Sequence, residues 1–415
     1  MNIIDHLKEK ELCAQVSDSS QIQKLFLEKK IVAYLGIDPT AGSLHIGNLV
    51  PLRLLKVLVD FGQQCVILLG EGTTHVGDPS GKTTTRKLLT SNDIHSNCQK
   101  IEGQIRSLLN SWNCQVGFVN NAEWLLELNY VDFLRDIGTC FSINRMLSFE
   151  SYKQRMERGL SFIEFNYQVM QAYDFYVLHK KHGINVQIGG DDQWGNMVSG
   201  IDLIRRKTGA ATYALTAPLL TTASGGKMGK TEKGSVYLDP EITSAFEFFQ
   251  YWRNIADADV KKLLMVYTDL DVQKIEELTA VEGSAINAAK KQLAYEVTSY
   301  VHGKEKAKEI LDSTESYFEG RGSLAKSIPT HDVSLEYITD NPALISVFVD
   351  QNLCKSTSEA RRFVSQGGLY VNDEKITDHT VKLDSSMIRD SEVHLRVGKK
   401  RILILKITTD YIAYE

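Results

Sequence analysis

No stretch of this chain comes near the roughly eighteen consecutive apolar residues that a membrane-crossing helix needs, so no membrane span is expected. The opening residues, MNIIDHLKEKEL, are charged and polar and lack the apolar core of a secretory signal. Cysteine is sparse and scattered (Cys13, Cys65, Cys98, Cys114, Cys140, Cys354), with no CxxC pair. That excludes a disulfide framework and a zinc knuckle from the expectations, and a reducing cytoplasm is the natural compartment. An excess of one charge is missing too: 47 basic against 52 acidic residues leave a net of −5. Such a balance gives no bulk attraction for nucleic acid. From Thr339 to Glu415 eleven basic and eleven acidic residues cancel. Any RNA contact must therefore come from local clusters such as Arg361-Arg362 and Lys399-Lys400-Arg401. Internal repeats and low-complexity runs are also absent.

What is present is ordinary globular material. Hydrophobic residues make up 43% and charged residues 24%, enough apolar content for a full core and too much for a largely disordered chain. A length of 415 residues predicts two or three domains. The first half alternates strand and helix patterns. IVAYLGI (Ile31–Ile37) reads as a buried strand, Leu49 to Val59 as a helix, and QCVILL (Gln64–Leu69) as the next buried strand. This order predicts a parallel crossover in a doubly wound, Rossmann-type sheet. A further short strand, INVQI (Ile184–Ile188), ends in Gly189-Gly190. The stretch between, about 93–173, reads as a mostly helical insertion.

Strand patterns then stop. VKKLLMVY and AAKKQLAYEVTSYVHGKEKAKEIL carry helical periodicity and predict a small all-α domain. The run from Glu319 to Asp332 has Gly, Ser and Pro with little periodicity and reads as a linker. A short helix (Ser358 to Gln366), a Gly367-Gly368 stop, and strands at Leu369 to Val371 and Arg401 to Ile407 predict a separate α+β unit. The expected division is a catalytic domain at 1–238, a helical domain at 239–320, a linker at 321–338 and a C-terminal domain at 339–415.

Two motifs carry chemistry. The first strand runs through Asp38 into Pro39-Thr-Ala-Gly-Ser-Leu-His45-Ile-Gly47-Asn48 and then a helix. A strand that ends in a glycine-bearing turn at a helix N-terminus is where α/β sheets hold nucleotide phosphates. Taken alone, this is equally an ordinary βα turn with a surface histidine. Far downstream, Lys227-Met228-Gly229-Lys230-Thr231 follows Ser224-Gly225-Gly226. Two lysines three residues apart on a flexible loop suit a triphosphate that is gripped and then released, although alone they also describe a solvated loop. A third stretch, Gly77-Asp-Pro-Ser-Gly81-Lys82-Thr83, imitates a P-loop. It has one residue too few between its glycines, and Pro79 removes a backbone donor, so a P-loop NTPase is not expected.

Together the two motifs resemble the paired signatures of class I aminoacyl-tRNA synthetases. Gly77-Asp78-Pro79-Ser80-Gly81, Phe165-Asn-Tyr167-Gln-Val-Met-Gln171-Ala-Tyr-Asp174 and Gln187-Ile-Gly-Gly-Asp-Asp192-Gln193-Trp-Gly-Asn196 narrow the resemblance to the bacterial tyrosyl-tRNA synthetases, over nearly the whole chain. The resemblance implies that Tyr34 and Asp174 bond the substrate phenol, that Asp78, Tyr167 and Gln171 hold its ammonium, and that Gln193 lies near its carboxylate. It implies that Asp38, Gly47, Asn48, Asp192 and Lys230 contact ATP. Thr40 and His45, with Lys82, Arg86, Lys227, Lys230 and Thr231, would serve the departing phosphates. The residue types suit these tasks: carboxylates and amides for a cation, basic donors for a polyphosphate. ATP is implied as a substrate carrying its Mg2+, with L-tyrosine and the cognate tRNA as the others; no metal cage of protein ligands is visible. A homodimer, joined through the helical insertion, is implied as well. No insertion is long enough for an editing domain.

Some positions depart from the pattern. Asn48 stands where the first signature usually ends in histidine, and Gly229 and Thr231 stand where the class at large has serines. Leu35 replaces a polar residue that some relatives place near the ribose. The tail from Ser356 to Asn372 resembles an S4-type RNA-binding domain, which implies phosphate contacts from Arg361, Arg362, Lys399, Lys400 and Arg401. Two other readings remain open. One is a tryptophan enzyme of the same class, which the Tyr34 and Asp174 pair and the S4-like tail oppose. The other is an RNA-binding paralogue without ligase activity, whose mark would be the loss of His45, Lys227 or Lys230.

Overall fold

The computed structural model describes residues 2–80, 89–149, 152–153, 156, 159–223, 225–226, 228–231, 234–281, 283–318, 328–340, 342–398 and 401–408; for 230, 231, 284 and 316–318 it describes the backbone alone. The chain divides into two compact units, Met1–Phe248 with Ile255–Gly303, and Phe249–Asn254 with Lys304–Glu415.

The first unit is built on five parallel strands: β1 (Val32–Ile37), β2 (Gln64–Leu69), β3 (Gly117–Asn120), β4 (Val186–Gly190) and β5 (Tyr213–Ala217). Their order is β3-β2-β1-β4-β5. Val32 to Ile37 lie opposite Gln64 to Leu69, and Ala33 to Leu35 lie opposite Val186 to Ile188. Helices cover both faces of such a sheet, which is why VAYLGI and QCVILL are almost continuously apolar rather than alternating. The chain adds strands first on one side of β1 and then on the other. A crevice therefore opens beyond the carboxyl ends of β1 and β4, the place where α/β sheets bind ligands. Residues before the sheet run antiparallel beside β5, through a bridge between Val16 and Leu215.

Local chemistry sets the helix ends. Helix Leu49–Asp60 is followed by Gly62 in the left-handed region (φ 77°). Helix Phe162–His182 starts at a capping box, in which Ser161 Oγ accepts from Glu164 N while Glu164 Oε2 accepts from Ser161 N. It closes at Gly183 (φ 67°), with His179, Lys180, Lys181 and His182 at the negative end of its dipole. Helix Trp194–Thr208 packs along it and stops at Gly209 (φ 75°). Helices Val260–Tyr267, Val272–Thr279 and Asn287–His302 make up an all-helical part of this unit. Among the described residues no helix is long and apolar enough to cross a membrane.

A short antiparallel pair in the first unit supplies β6 (Lys230–Thr231) and β7 (Gly234–Ser235). The second unit holds a mixed five-stranded sheet: β8 (Thr330–Ser334), β9 (Leu369–Val371), β10 (Glu374–Lys375), β11 (Glu392–Val397) and β12 (Arg401–Thr408), in the order β10-β9-β11-β12-β8. Only β8 and β12 run parallel. Phe348, Leu369, Val393, Leu395, Leu403 and Leu405 centre its core. Helix Thr357–Ser365 is capped by Ser356, and the chain turns at Gly367 (φ 68°) into β9.

Two segments differ from the sequence reading. The stretch 93–173 is mostly helical as expected, but it is not purely an insertion, because β3 lies inside it at the edge of the sheet. Its four residues, GFVN, are too few and too exposed to give a periodic signal. The stretch expected as a linker contains β8, which pairs with β12; THDVS is polar and mostly exposed, so no buried face betrayed it.

Candidate active site

Beyond the carboxyl ends of β1 and β4 lies a cavity of about 520 Å³, within the usual range for small-ligand sites. Tyr34, Asp38, Thr40, His45, Gly47, Asn48, Asp78, Tyr167, Gln171, Asp174, Asp192 and Gln193 all line it. Every sequence-predicted substrate and ATP residue with a described side chain is thus brought to one crevice. Lys82, Arg86 and Lys227 lie outside the described residues. Lys230 and Thr231 form a short strand with Gly234-Ser235, by backbone alone.

At the closed end stand Tyr34, on β1, and Asp174, on helix Phe162–His182. The Tyr34 hydroxyl is buried and has no hydrogen-bond partner. Burial pushes its phenol well above the ordinary value, and the charge of Asp174 adds to this. Each Asp174 oxygen accepts one hydrogen bond, from Asn121 Nδ2 at 2.9 Å and from Trp124 Nε1 at 2.8 Å. Burial raises Asp174 to about 8 despite these two donors, which favour the ionised form.

The middle of the cavity is a polar lattice. Asp38 accepts from the Tyr167 hydroxyl at 2.7 Å and from Thr73 Oγ1 at 2.8 Å. Thr73 Oγ1 in turn accepts from Asn121 Nδ2 at 3.0 Å. Gly70 must be glycine here, since a Cβ would come within 2.0 Å of Asp38 Oδ1. On the other wall Gln193 Nε2 donates to Asp78 at 2.6 Å, and Asn196 Nδ2 donates to both Gln171 Oε1 (2.9 Å) and Gln193 Oε1 (3.1 Å). These bonds hold Asp38, Asp78, Tyr167, Gln171 and Gln193 in place around the middle of the cavity.

The mouth is formed by the first signature motif. His45 caps a short turn: its Nδ1 accepts the Gly47 N–H at 3.1 Å, so the neutral ring carries its proton on Nε2. Asn48 Oδ1 accepts the His45 N–H at 3.0 Å, leaving the amide group as the donor end of Asn48. Gly47 is fixed by packing, because a Cβ there would stand 2.9 Å from the His45 ring.

The second motif meets the first directly. His45 bridges antiparallel to Tyr237, Ile46 N donates to Val236 O at 3.1 Å, and Leu238 N to Leu44 O at 2.8 Å. Gly229 has φ 83°, and a Cβ on it would fall 2.7 Å from Ile46 Cγ1. Both facts explain why glycine stands at that position instead of serine.

Electrostatics divides the cavity's labour. Among its described lining residues Asp38, Asp78, Asp174 and Asp192 are acidic, and His45 alone is basic. Such a wall suits an ammonium and sugar hydroxyls, and a triphosphate needs cations brought by other groups.

Residues 27–319 match the family described as tRNA synthetases class I (W and Y). The chain belongs to that family. Residues 322–405 match the Tyrosine–tRNA ligase SYY-like C-terminal domain. The chain is 47% identical to a tyrosine–tRNA ligase of Treponema denticola, over 96% of this chain and 97% of the relative. It is 44% identical to that of Caldanaerobacter subterraneus, over 96% and 98%. The crystal structure of a C-terminally truncated mitochondrial tyrosyl-tRNA synthetase from Aspergillus nidulans is similar too, with a TM-score of 0.69 and 29% identity over 76% of this chain and 94% of that one.

The sequence reading of this synthetase missed Thr73, Asn121 and Trp124, and gave no role to Gln187 and Asn196, which it named only as ends of a motif. Asn121 follows β3 and reaches across to β2's end, its Oδ1 accepting from Gly72 N at 2.7 Å; with β3 unrecognised, it had no place. Gln187, opposite Tyr34 in the sheet, is a buried amide whose Oε1 has no partner.

In the second unit Arg361 and Arg362 are exposed on helix Thr357–Ser365. Arg401 is partly occupied, with Nη1 donating to Leu353 O at 2.8 Å and lying 3.6 Å from Glu359. Lys399 and Lys400 lie outside the described residues.

Proposed function

We infer that this chain is a tyrosine–tRNA ligase that joins L-tyrosine to ATP's α-phosphate and passes the activated tyrosyl group to tRNA. The observation that carries the reading is the closed end of the cavity, where a buried hydroxyl without a partner stands with a buried carboxyl. A phenol hydroxyl arriving there meets an acceptor and a donor at once. A phenylalanine ring would leave both polar groups unmatched, and the tyrosine enzymes are the standard example of that asymmetry. An indole is also a poorer match, since it brings one donor and no acceptor.

The first step is in-line attack of the tyrosine carboxylate on the α-phosphorus: the new O–P bond forms as the bond to pyrophosphate breaks. The protein has no covalent work to do, so rate comes from positioning and from stabilising the charge that gathers on pyrophosphate. Asp78, Tyr167 and Gln171 would fix the ammonium and so aim the carboxylate, with Gln193 beside it. Asp192, Asn48 and Gly47 would seat the ribose and base, and Asp38 would steady Tyr167 from behind. His45 would donate from Nε2–H to a phosphate oxygen, together with Thr40. Lys82, Arg86, Lys227, Lys230 and Thr231 are our candidates for the cationic grip that the acidic wall requires, with Mg2+ travelling on ATP. The second step moves the tyrosyl group from AMP to the terminal adenosine of the tRNA.

We assign residues 1–238 to catalysis, 239–320 to the anticodon and 339–415 to RNA binding through Arg361, Arg362, Lys399, Lys400 and Arg401. Large apolar side chains exposed between 126 and 163, among them Val131, Ile143 and Phe162, support a homodimer joined there. All six cysteines are free thiols, which suits a cytoplasmic setting. The test is ATP–pyrophosphate exchange with each standard amino acid and no tRNA. Exchange with tyrosine alone is expected. Exchange with tryptophan would overturn the pocket assignment, and none at all would favour an RNA-binding paralogue.

A further inference from the structure

The turn that follows β4 carries two adjacent aspartates with different surroundings. Asp192 lines the cavity; Asp191 does not. A single oxygen of Asp191, Oδ1, accepts two hydrogen bonds, from Gln15 Nε2 at 2.8 Å and from Thr216 Oγ1 at 2.8 Å. Thr216 Oγ1 accepts in turn from Gln15 N at 2.9 Å, so the three residues close a ring. Thr216 is fully buried on β5. The segment carrying Gln15 is bound to β5 by backbone bonds on either side: Ala14 N to Thr216 O at 2.8 Å, Thr216 N to Gln15 O at 2.9 Å and Ser17 N to Ala214 O at 3.0 Å. The turn is closely packed against Asp192, since a Cβ on Gly190 would lie 2.7 Å from Asp192 Oδ1.

We propose that Asp191 is a positioning residue for the adenylation step, clamped by Gln15 and Thr216 so that the turn presents Asp192 to the nucleotide. The N-terminal segment thereby becomes part of the nucleotide end of the site, although Gln15 lines no part of the cavity. Gln193, in the same turn, has further bonds of its own to Asp78 and Asn196. Loosening the clamp therefore acts on ATP more than on tyrosine. The inference rests on the adenylation reading above.

The test is tyrosine-dependent ATP–pyrophosphate exchange by the full chain, with KM for ATP and for tyrosine measured separately. Gln15→Ala and Asp191→Ala are each expected to raise the ATP KM about tenfold, a typical cost for a lost bond to a charged group, and to change the tyrosine KM about twofold or less. Asp191→Asn keeps the accepting Oδ1 and should stay near wild type. Gln15→Glu sets two carboxylates against each other and should be the worst single variant. Adding Asp191→Asn to it supplies an amide donor and should restore the ATP KM, a rescue that stands even if the alanine variants fold poorly. An unchanged ATP KM, equal rises for both substrates, or no rescue in the double variant would overturn the clamp while exchange in the wild type upholds the ligase. Absence of exchange in the wild type would overturn the ligase reading and the clamp with it.

Discussion

Tyr34→Phe removes one oxygen and should move stability and specificity in opposite directions. Without substrate, the Tyr34 hydroxyl is buried and unpartnered. A neutral polar group left in that state costs about 1–3 kcal/mol. The ring's other surroundings, including Phe175 with its centroid 5.3 Å away, are unchanged by the substitution. The substrate-free variant should therefore be more stable by about 1 kcal/mol, which is about 2 °C in melting temperature for a unit of this size. With tyrosine bound the balance reverses, because the phenol loses one partner worth about 0.5–1.5 kcal/mol. The tyrosine KM in pyrophosphate exchange should then rise by about two- to tenfold. Phenylalanine never used that hydroxyl, so the preference for tyrosine should shrink by a similar factor, with Asp174 supplying what remains. Thermal unfolding with and without tyrosine, and exchange with both amino acids, read the two halves separately. A variant that melts lower without substrate, or that discriminates as well as the wild type, would refute the reasoning.

The raised Asp174 gives a pH dependence. Its folded value of about 8 lies above the ordinary 3.8, so the stability this group contributes is complete below 3.8 and lost as pH rises through about 8. The ionised carboxyl is the stronger acceptor for the phenol's hydrogen bond, so the tyrosine KM should fall between pH 6 and 9 with the ATP KM steady, and Asp174→Asn should flatten that profile; a flat wild-type profile would count against it. Reversing Arg361 and Arg362 to Glu should lower tRNA charging about tenfold and reduce its salt dependence by about two ions, with exchange untouched; equal loss of both activities would contradict the division. Phe162→Glu with Val131→Glu should yield monomers by sedimentation, both side chains being more than 60% exposed; an intact dimer would move the interface elsewhere.

The strands that were legible from sequence are those buried on both faces. VAYLGI and QCVILL could hardly be anything else, and they located the crevice. The paired signatures were legible because chemistry restricts them residue by residue. What stayed hidden was tertiary. Asn121 and Trp124 acquire their roles only because β3 brings them beside Asp174, and four half-exposed residues carry too little pattern to announce a strand. Gly229 looked like a departure from the class, yet its positive φ and the nearness of Ile46 make it a steric necessity that only the folded contact reveals. The β8 strand escaped for the opposite reason to β1: Val333 is its one apolar residue, too little to mark a buried face.

That polarity has a meaning in time. Strand β8 pairs with β12 in the register Thr330 to Ile404, so the partners lie 74 residues apart in the chain. At a synthesis rate of about 5–20 residues per second, β8 leaves the ribosome roughly 4–15 seconds before its mate is made. During that interval it is an open edge, the sort of edge that recruits neighbouring nascent chains when it is apolar. A strand spelled Thr-His-Asp-Val-Ser can wait in water; one spelled like Ile402-Leu-Ile-Leu405 could not. In the finished sheet β8 still lies at the edge, beyond β12, so the same polarity that suits the wait also suits its final place.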